Sequence, residues 1–538
     1  MILAYNILII KQEKAYLGIM IACGIVLAVY ISAGILQYLK ITDNSFTALY
    51  EISGINGHKN LLSAMLFMLS SFLLTSLPFL KSKILKAIPI IVYLISLVFV
   101  VLLKSRATII GYCVSIIVFA IIFLIRKKNI TTTHRWKVAI SVIVTVTVFF
   151  FISLALRQNI SNIVEQNTQG THTEYDILSA SSMYERIAVW KNTYKLSDKH
   201  TILGCGLGNW KIDFPSVGTE NLYRCDVWNI NFVRPHNEFL GLLAECGYLI
   251  FIIYLTFLCF LIVYSFFKIC KLKNIKDFIV GSVSLSILIG ANIISFFDFP
   301  NERIEFIIWI NIIIGILYVI LTRNESIKLK HSNNFAFLAL SIILVIIGGY
   351  RYIGEYYTYD MQREIKASNW PAIIKYSDKS ISTLYNIDPM GYPIHWYQGH
   401  AMLMKGDARA IYSLRKAYRY APYCKQNLND LGFITYYKEH DITLAKFYLR
   451  ESMRISPNFV NSGYNLIGIL INERDYDGAQ MVLDKMYTDE EKRDMLLRDA
   501  QFFAGDNLDS EIMKINYDYD THLHLQQMID SLRLQFVE

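Results

Sequence analysis

A chain of 538 residues that is 54% hydrophobic and only 18% charged is too apolar for an ordinary soluble protein. The formal excess of +8 does not mark a nucleic-acid binder. The basic residues sit largely in short segments between apolar blocks, where an orientation signal would place them, so no nucleic-acid partner is expected.

The apolar residues fall in blocks of roughly 15–25, the length that crosses a bilayer as a helix, over about the first 350 residues. They predict about nine spans: 15–38, 61–80, 87–103, 107–125, 137–156, 237–266, 278–297, 304–322 and 335–350. Met1–Ile10 is apolar but has neither a basic n-region nor a small-residue cleavage site, so no cleavable signal peptide is expected. Basic clusters stand at Lys11 and Lys14, at Lys81–Lys86, at Arg126–Lys137, at Lys268–Lys276 and at Arg323–Lys330. If the spans alternate, all five clusters fall on one side, and the positive-inside rule makes that side the cytoplasm. The N-terminus is then cytoplasmic. The opposite side receives the turn Lys104-Ser105-Arg106, the long loop before Pro235, the short loop Asp298–Arg303 and the polar C-terminal region. The organisation expected is N-terminal membrane helices over 1–156, a large outer loop over 157–235, further membrane helices over 236–350 and an outer domain over 351–538.

The outer loop is about 80 residues, long for a passive connection. Ser182-Met183-Tyr184-Glu185 fits a capping box, predicting a helix from about Met183 to Leu196. Arg186 would then lie in its first turn with Trp190 on the same face, and the helix N-terminus and guanidinium together would make an anion site. An alternative is an Arg paired with Glu174 or Asp176. Gly204 and Gly206 open a glycine-rich stretch that reads as a tight turn and not as a phosphate cradle, because no strand precedes it and no Lys-Ser/Thr follows. Trp190, Trp210 and Trp228 either stack on sugars or lie at the bilayer interface. Cys205 and Cys225 would pair if the loop is extracytoplasmic. The eight cysteines show no metal-ligand spacing, and no cofactor is expected.

Where the loop meets the next span stands Arg234-Pro235-His236-Asn237, with Glu245 and Gly247 beyond. On a continuous helix Glu245 lies half a rotation from His236 and about 13 Å deeper. It is expected to pair with a buried Arg or Lys of another span, or to be protonated. Asn237 either orients a substrate or caps the helix. His236 stands at the boundary with a pKa range that suits proton transfer.

In the C-terminal domain Asp407, Asp441 and Asp475 recur every 34 residues, Pro389, Pro422 and Pro457 nearly so, and Gly399, Gly432 and Gly468 fall in the first helix of each unit. A 34-residue helix-turn-helix period predicts tetratricopeptide-like repeats stacked into an α-solenoid. The fold class expected is therefore all-α: a polytopic membrane protein carrying a C-terminal α-solenoid.

Taken together these motifs make the chain resemble the O-antigen ligase and polymerase superfamily over roughly residues 40–325. The resemblance rests on His236, Asn237, Leu240, Glu245 and Gly247, on Arg186 and Trp190 followed by Gly204 and Gly206, on Ser105-Arg106, on the turn from Gly54 to Asn60, and on Phe297–Pro300. Two features depart from it. The family usually has more spans before the Gly-to-Asn turn, so the chain starts late or this branch is short, and His58-Lys59 stands where the family often has Asn-Pro. The resemblance implies a GT-C-like, inverting glycosyltransferase of the bacterial inner membrane. It would move a glycan from undecaprenyl diphosphate to a hydroxyl of lipid A core, a polysaccharide or a protein on the periplasmic face. His236, Arg186 and Arg106 would be catalytic. Arg234, Asn237, Trp190 and Asn60 would bind substrate, and Glu245, Gly204 and Gly206 would be structural. No catalytic metal is expected, and the repeats would bind an envelope protein. The competing readings are a polysaccharide transporter and a membrane-anchored repeat scaffold. The large outer loop and the lack of internal repeats among the spans disfavour the first. The Ser-Arg turn and the Arg-x-x-x-Trp helix have no use in the second.

Overall fold

The computed structural model describes residues 12–40, 52–55, 57–126, 173–219, 222, 231–322, 334–457, 459–486 and 508–535. These residues are helical apart from turns, short connections and two isolated β-bridges. Eight helices are long and apolar enough to cross a bilayer, among them Lys59–Ser76, Arg106–Ile125, Glu238–Cys270, Ile275–Phe297 and Leu338–Lys366. They answer to eight of the predicted spans, and the predicted span 137–156 lies outside the described residues. The last of them belongs to one helix, Asn334–Lys366, which passes residue 351 without a break. The molecule is an all-α polytopic membrane protein.

The chain forms two compact units. One comprises Met1–Ser182, His236–Leu243 and Tyr248–Leu329; the other comprises Met183–Pro235, Ala244–Gly247 and Lys330–Glu538.

In the first unit the helix Lys59–Leu73 is central, with every residue from Leu61 to Leu73 buried. A helix buried all round must be apolar all round, and its hydroxyls are satisfied internally: Ser63 Oγ donates to Lys59 O at 2.9 Å, and Ser70 Oγ lies 2.8 Å from Tyr112 OH. Helices Arg106–Ile125 and Ile275–Phe297 cross through small residues. A Cβ on Gly290 would lie 2.8 Å from Gly111 O, the close approach on which membrane helix packing depends. Side-chain caps fix the helix starts: Ser82 for Lys83–Leu102, Asn237 for Glu238–Cys270 and Asn274 for Ile275–Phe297.

In the second unit the helix Asn334–Lys366 packs through Met361 and Ile365 against Trp370, Ile373 and Ile394. Three helix pairs follow: Ile394–Met404 with Ala410–Tyr420, Lys425–Ile434 with Ile442–Ile455, and Val460–Asn472 with Tyr476–Leu483. The aspartate period has a local cause. Asp441 Oδ1 accepts Leu444 N and Asp475 Oδ1 accepts Gly478 N, both at 2.9 Å, so each caps the second helix of its pair. Asp407 Oδ1 accepts Arg409 N, also at 2.9 Å. Gly399 and Gly432 let the next helix approach, since a Cβ there would meet Leu414 or Leu449 at 2.7 and 2.6 Å. Gly468 does not share this role, because nothing lies within 4 Å of its Cβ position.

Candidate functional site

In the first unit one helix end gathers polar groups from four segments. Asn237 begins the helix Glu238–Cys270. Its Oδ1 accepts Leu240 N at 3.1 Å, so of its two sequence readings the cap is the one the geometry supplies. The residue before it, His236, is held at φ +52, a left-handed conformation that costs on the order of 1 kcal/mol outside glycine. Its Nδ1 is buried without a hydrogen bond and lies 3.9 Å from Asp298 Oδ1. The ring as a whole is 27% exposed, which leaves Nε2 as the nitrogen that can reach a ligand. Phe299 meets the ring edge-on at 5.0 Å.

Asp298 ends the helix Ile275–Phe297 and is almost fully buried; its Oδ1 accepts Phe299 N at 3.1 Å. Glu238 fixes the loop that follows by accepting Asn301 N at 2.6 Å and Asn301 Nδ2. On the far side of Phe299 the His58 ring stands 6.2 Å away, and a Cβ on Gly57 would lie 3.7 Å from Arg303 Nη2. His58 Nδ1 accepts Asn60 N at 3.2 Å and starts the helix that carries Lys59 and Asn60. Lys59 is buried, and Lys104 and Arg106 are near enough for their charges to act on it. Burial pushes the half-buried Lys104 ammonium below the usual lysine range. Arg106 is exposed at the first position of its helix and forms no ion pair among the described residues. Ser105 is buried, with Oγ 3.0 Å from Thr108 Oγ1.

The second unit contains the loop residues. The helix carrying Arg186 and Trp190 runs from Thr173 to Lys199, not from Met183. Nothing in Thr173–Ser182 breaks a helix, so the Ser182–Glu185 pattern lies inside it and is not a cap. Arg186 is therefore far from the helix N-terminus, roughly 20 Å at 1.5 Å per residue, and the expected dipole contribution falls away. Its i+4 relation to Trp190 holds. Arg186 and Arg234 are half-buried and both have partners. Trp190 Nε1 donates to Pro235 O at 2.8 Å, the carbonyl just before His236 in the chain.

Gly204, Gly206, Glu245 and Gly247 are explained together. The helix Glu238–Cys270 is interrupted at Gly247, whose φ 74 and ψ 176 are not helical. The break frees the carbonyls of Ala244 and Glu245, and Cys205 N and Gly206 N donate to them, each at 2.9 Å. The two backbones come so close that a Cβ on Gly204 would lie 2.2 Å from Glu245 C, and one on Gly247 would lie 2.2 Å from Ile202 O. Both glycines also need positive φ. The structure corrects the partner expected for Glu245. Its Oε1 accepts Trp210 N at 3.3 Å; no Arg or Lys of another span pairs with it among the described residues. Trp210 is neither a sugar platform nor an interfacial anchor: it is buried, stacks on Phe214 at 4.3 Å and donates from Nε1 to Thr193 Oγ1. Burial pushes the Cys205 thiol up to about 12 and raises the Asp213 carboxyl as well. Cys225 and Trp228 lie outside the described residues.

Of the predicted site residues, His236, Asn237, Asn60 and Arg106 belong to the first unit, and Arg186, Trp190, Arg234, Gly204, Gly206 and Glu245 to the second. The sequence reading did not assign Lys59, Lys104, Asp298 or Arg303 to the site. Asp298 had a usable signal, as an acid directly after an apolar span and inside a motif already noted. Among the described residues no three His, Cys, Asp or Glu are grouped so as to hold a metal ion.

A search of curated proteins gave no match. Residues 91–255 match the family model Wzy_C, described as O-Antigen ligase. The matched stretch is narrower than the 40–325 of the motif resemblance. It contains Arg106, Arg186 and the His236–Gly247 segment but neither Asn60 nor Asp298. Over that stretch the chain is similar to the O-antigen ligases, and with eight helices able to cross a membrane this supports an integral membrane protein acting in general as a ligase-like glycosyltransferase on a lipid-linked glycan and an acceptor.

Proposed function

We propose that the protein transfers a preassembled glycan from undecaprenyl diphosphate to a hydroxyl of lipid A core, a polysaccharide or a protein. The observation that carries this reading is the His236–Asp298 pair, in the unit that also holds Lys59, Lys104, Arg106 and Arg303. The acceptor hydroxyl attacks the anomeric carbon and its proton passes to His236 Nε2. The bond from that carbon to the diphosphate oxygen breaks, and the electron pair stays on the diphosphate. Asp298, 3.9 Å from Nδ1, favours the imidazolium as it forms. The cations offset the charge growing on the leaving diphosphate, and the fork of a guanidinium suits phosphate oxygens. Arg186 keeps the catalytic role, and Arg234 and Trp190 the substrate-binding roles, that the resemblance gives them. Asn60 and Asn237 bound the acceptor side. A single displacement inverts the anomeric centre and requires no metal. Activity lost with a chelator and restored by a divalent cation would refute that last point.

The protein is read as bacterial inner-membrane with a cytoplasmic N-terminus and a periplasmic C-terminal domain, a reading supported by the five basic clusters. The helix pairs are read as tetratricopeptide-like repeats that bind an envelope protein. A reporter fused after Glu538 should be active only outside the cytoplasm. The function is tested in cells lacking the gene. Wild type should clear accumulated lipid-linked glycan, His236→Ala and Arg186→Ala should not, and the molecule that loses its glycan is the acceptor. Normal transfer by both variants would sink the site assignment.

A further inference from the structure

Within the second unit the segment Trp210–Thr219 is bonded on two sides. Towards the helix Thr173–Lys199, Trp210 Nε1 donates to Thr193 Oγ1 at 3.2 Å, Asn192 Nδ2 to Gly218 O at 3.3 Å and Lys199 Nζ to Ser216 O at 3.1 Å. Towards the helix pairs, Lys211 Nζ donates to Asp388 O at 3.0 Å and Pro389 O at 2.9 Å. Thr219 donates from both N and Oγ1 to Ile455 O at 2.8 Å, and Arg454 Nη1 donates to Ser216 O at 3.1 Å. One carbonyl, Ser216 O, thus receives a cation from each side. The anchor for Lys211 is itself fixed: Asp388 is buried, and its carboxylate accepts Tyr392 N at 2.8 Å and Tyr397 OH at 2.9 Å. Arg186, Trp190 and Thr193 share one helix face at i, i+4 and i+7, so what holds Thr193 also orients Arg186.

We propose that the helix pairs are a positioning frame for the Arg186 helix, and that Lys211 is the positioning residue through which they act. Binding an envelope protein would not by itself require such a connection. A cation that bridges two backbone carbonyls from a loop contributes nothing to the helix pairs' own core, but it removes freedom from the loop. The importance of Arg186 for transfer rests on the reading above; the mechanical linkage does not.

The test uses the full-length protein in membranes. Lys211→Met keeps the alkyl length and removes the donors, and Lys211→Arg keeps a charged donor. Two quantities are read: amide hydrogen exchange over residues 185–199 and 394–486, and clearance of lipid-linked glycan in cells. In Lys211→Met, exchange over 185–199 should rise about 10-fold while 394–486 is unchanged, and transfer should fall about 10-fold, as misplacement of a reacting group predicts. Lys211→Arg should restore both. Unchanged exchange over 185–199 overturns the linkage, whatever the transfer rate. Raised exchange with normal transfer overturns the positioning role. If Arg186→Ala also transfers normally, it is the assignment of Arg186 that fails, and the raised exchange still upholds the linkage. Should Lys211→Met loosen the whole unit, Thr219→Val, which removes one hydroxyl at nearly constant volume, is judged by the same two readouts.

Discussion

The two units differ in how some of their buried charges are held. In the second, buried charges are held by short bonds. Asp430 accepts Trp396 Nε1 at 2.9 Å and His400 Nδ1 at 2.8 Å, Lys425 Nζ donates to Ser456 Oγ at 3.0 Å, and Asp388 is held as described. In the first, His236 Nδ1 is buried with no hydrogen bond among the described residues, and the charges of Lys104 and Arg106 act on the buried Lys59. Backbone strain sets the same histidine apart. Lys104, Ser368, His440 and Arg474 take positive φ just after a helical segment, where a left-handed residue is an ordinary terminator. His236 takes it just before a helix N-cap, where no terminator is needed. Local rules broken without a structural return tend to mark function. On the proposed function, the contrast sets the candidate proton acceptor His236 in the first unit, while the second carries Arg186 and the frame bonded to its helix.

Substitutions where backbones of the second unit meet should therefore cost folding, and those at the strained end should cost transfer. The largest effect is expected from Gly204→Ala. Its Cβ would lie 2.2 Å from a backbone carbon at φ +69, a clash no side-chain rotation relieves, so a loss above ~4 kcal/mol is expected. Expression and thermal unfolding of the variant measure it. Gly468→Ala is the control: with open space around it inside the helix Val460–Asn472, it should gain up to about 1 kcal/mol from helix propensity. A folded Gly204→Ala protein of normal stability would break the contrast from this side.

His236→Gly tests it from the other. Glycine relieves the positive φ, so Tm should not fall, whereas loss of the proton acceptor should slow transfer by about 10²–10³-fold. A destabilised protein with transfer intact would reverse the assignment. Asp298→Asn should be milder, about 10-fold on transfer, because the amide keeps an oxygen for Phe299 N but no longer favours the imidazolium. A pH profile of transfer displaced in Asp298→Asn separates this role from simple packing.

The sequence disclosed those features that depend on nearby residues. Apolar blocks located the spans, since bilayer thickness alone sets their length. The 34-residue aspartates located the helix pairs, since Asp441 and Asp475 cap a helix three residues on and Asp407 bonds the backbone two residues on. What depends on chain segments meeting from afar stayed hidden. Gly204 and Gly247 read as a turn and a helix residue, and only the approach of the two backbones shows why both lack a side chain. For Glu245 the sequence left a cation of another span or a protonated acid open; the short helix at Trp210 supplies a backbone N–H in place of the cation. The Ser182–Glu185 pattern misled because a capping box also occurs inside a helix when nothing upstream stops it. Asp298 was visible as a letter but not as a neighbour of His236, 62 residues earlier in the chain.

The smallest effect sharpens the contrast inside the second unit, where two histidines should shape the pH dependence of stability in opposite senses. For His400, burial alone would lower the pKa, but the hydrogen bond and charge of Asp430 outweigh it and the net shift is upward from 6.5. Its stabilising contribution is complete below the unfolded value and is lost as pH rises through the folded one. For His395, burial lowers the pKa from 6.5, and the hydrogen bond it donates to Gln398 only partly opposes this. Its neutral form is the one the fold prefers, so its contribution is complete above the unfolded value and is lost as pH falls towards the folded one. The pair should place a shallow stability maximum near the ordinary histidine value. Measured on the full-length protein from about pH 5 to 8, His400→Gln should flatten only the alkaline limb of the Tm curve and His395→Gln only the acid limb, each by about 2 °C. An alkaline limb that survives His400→Gln would mean that Asp430 does not hold the imidazolium, and that this buried charge is no better satisfied than those around His236.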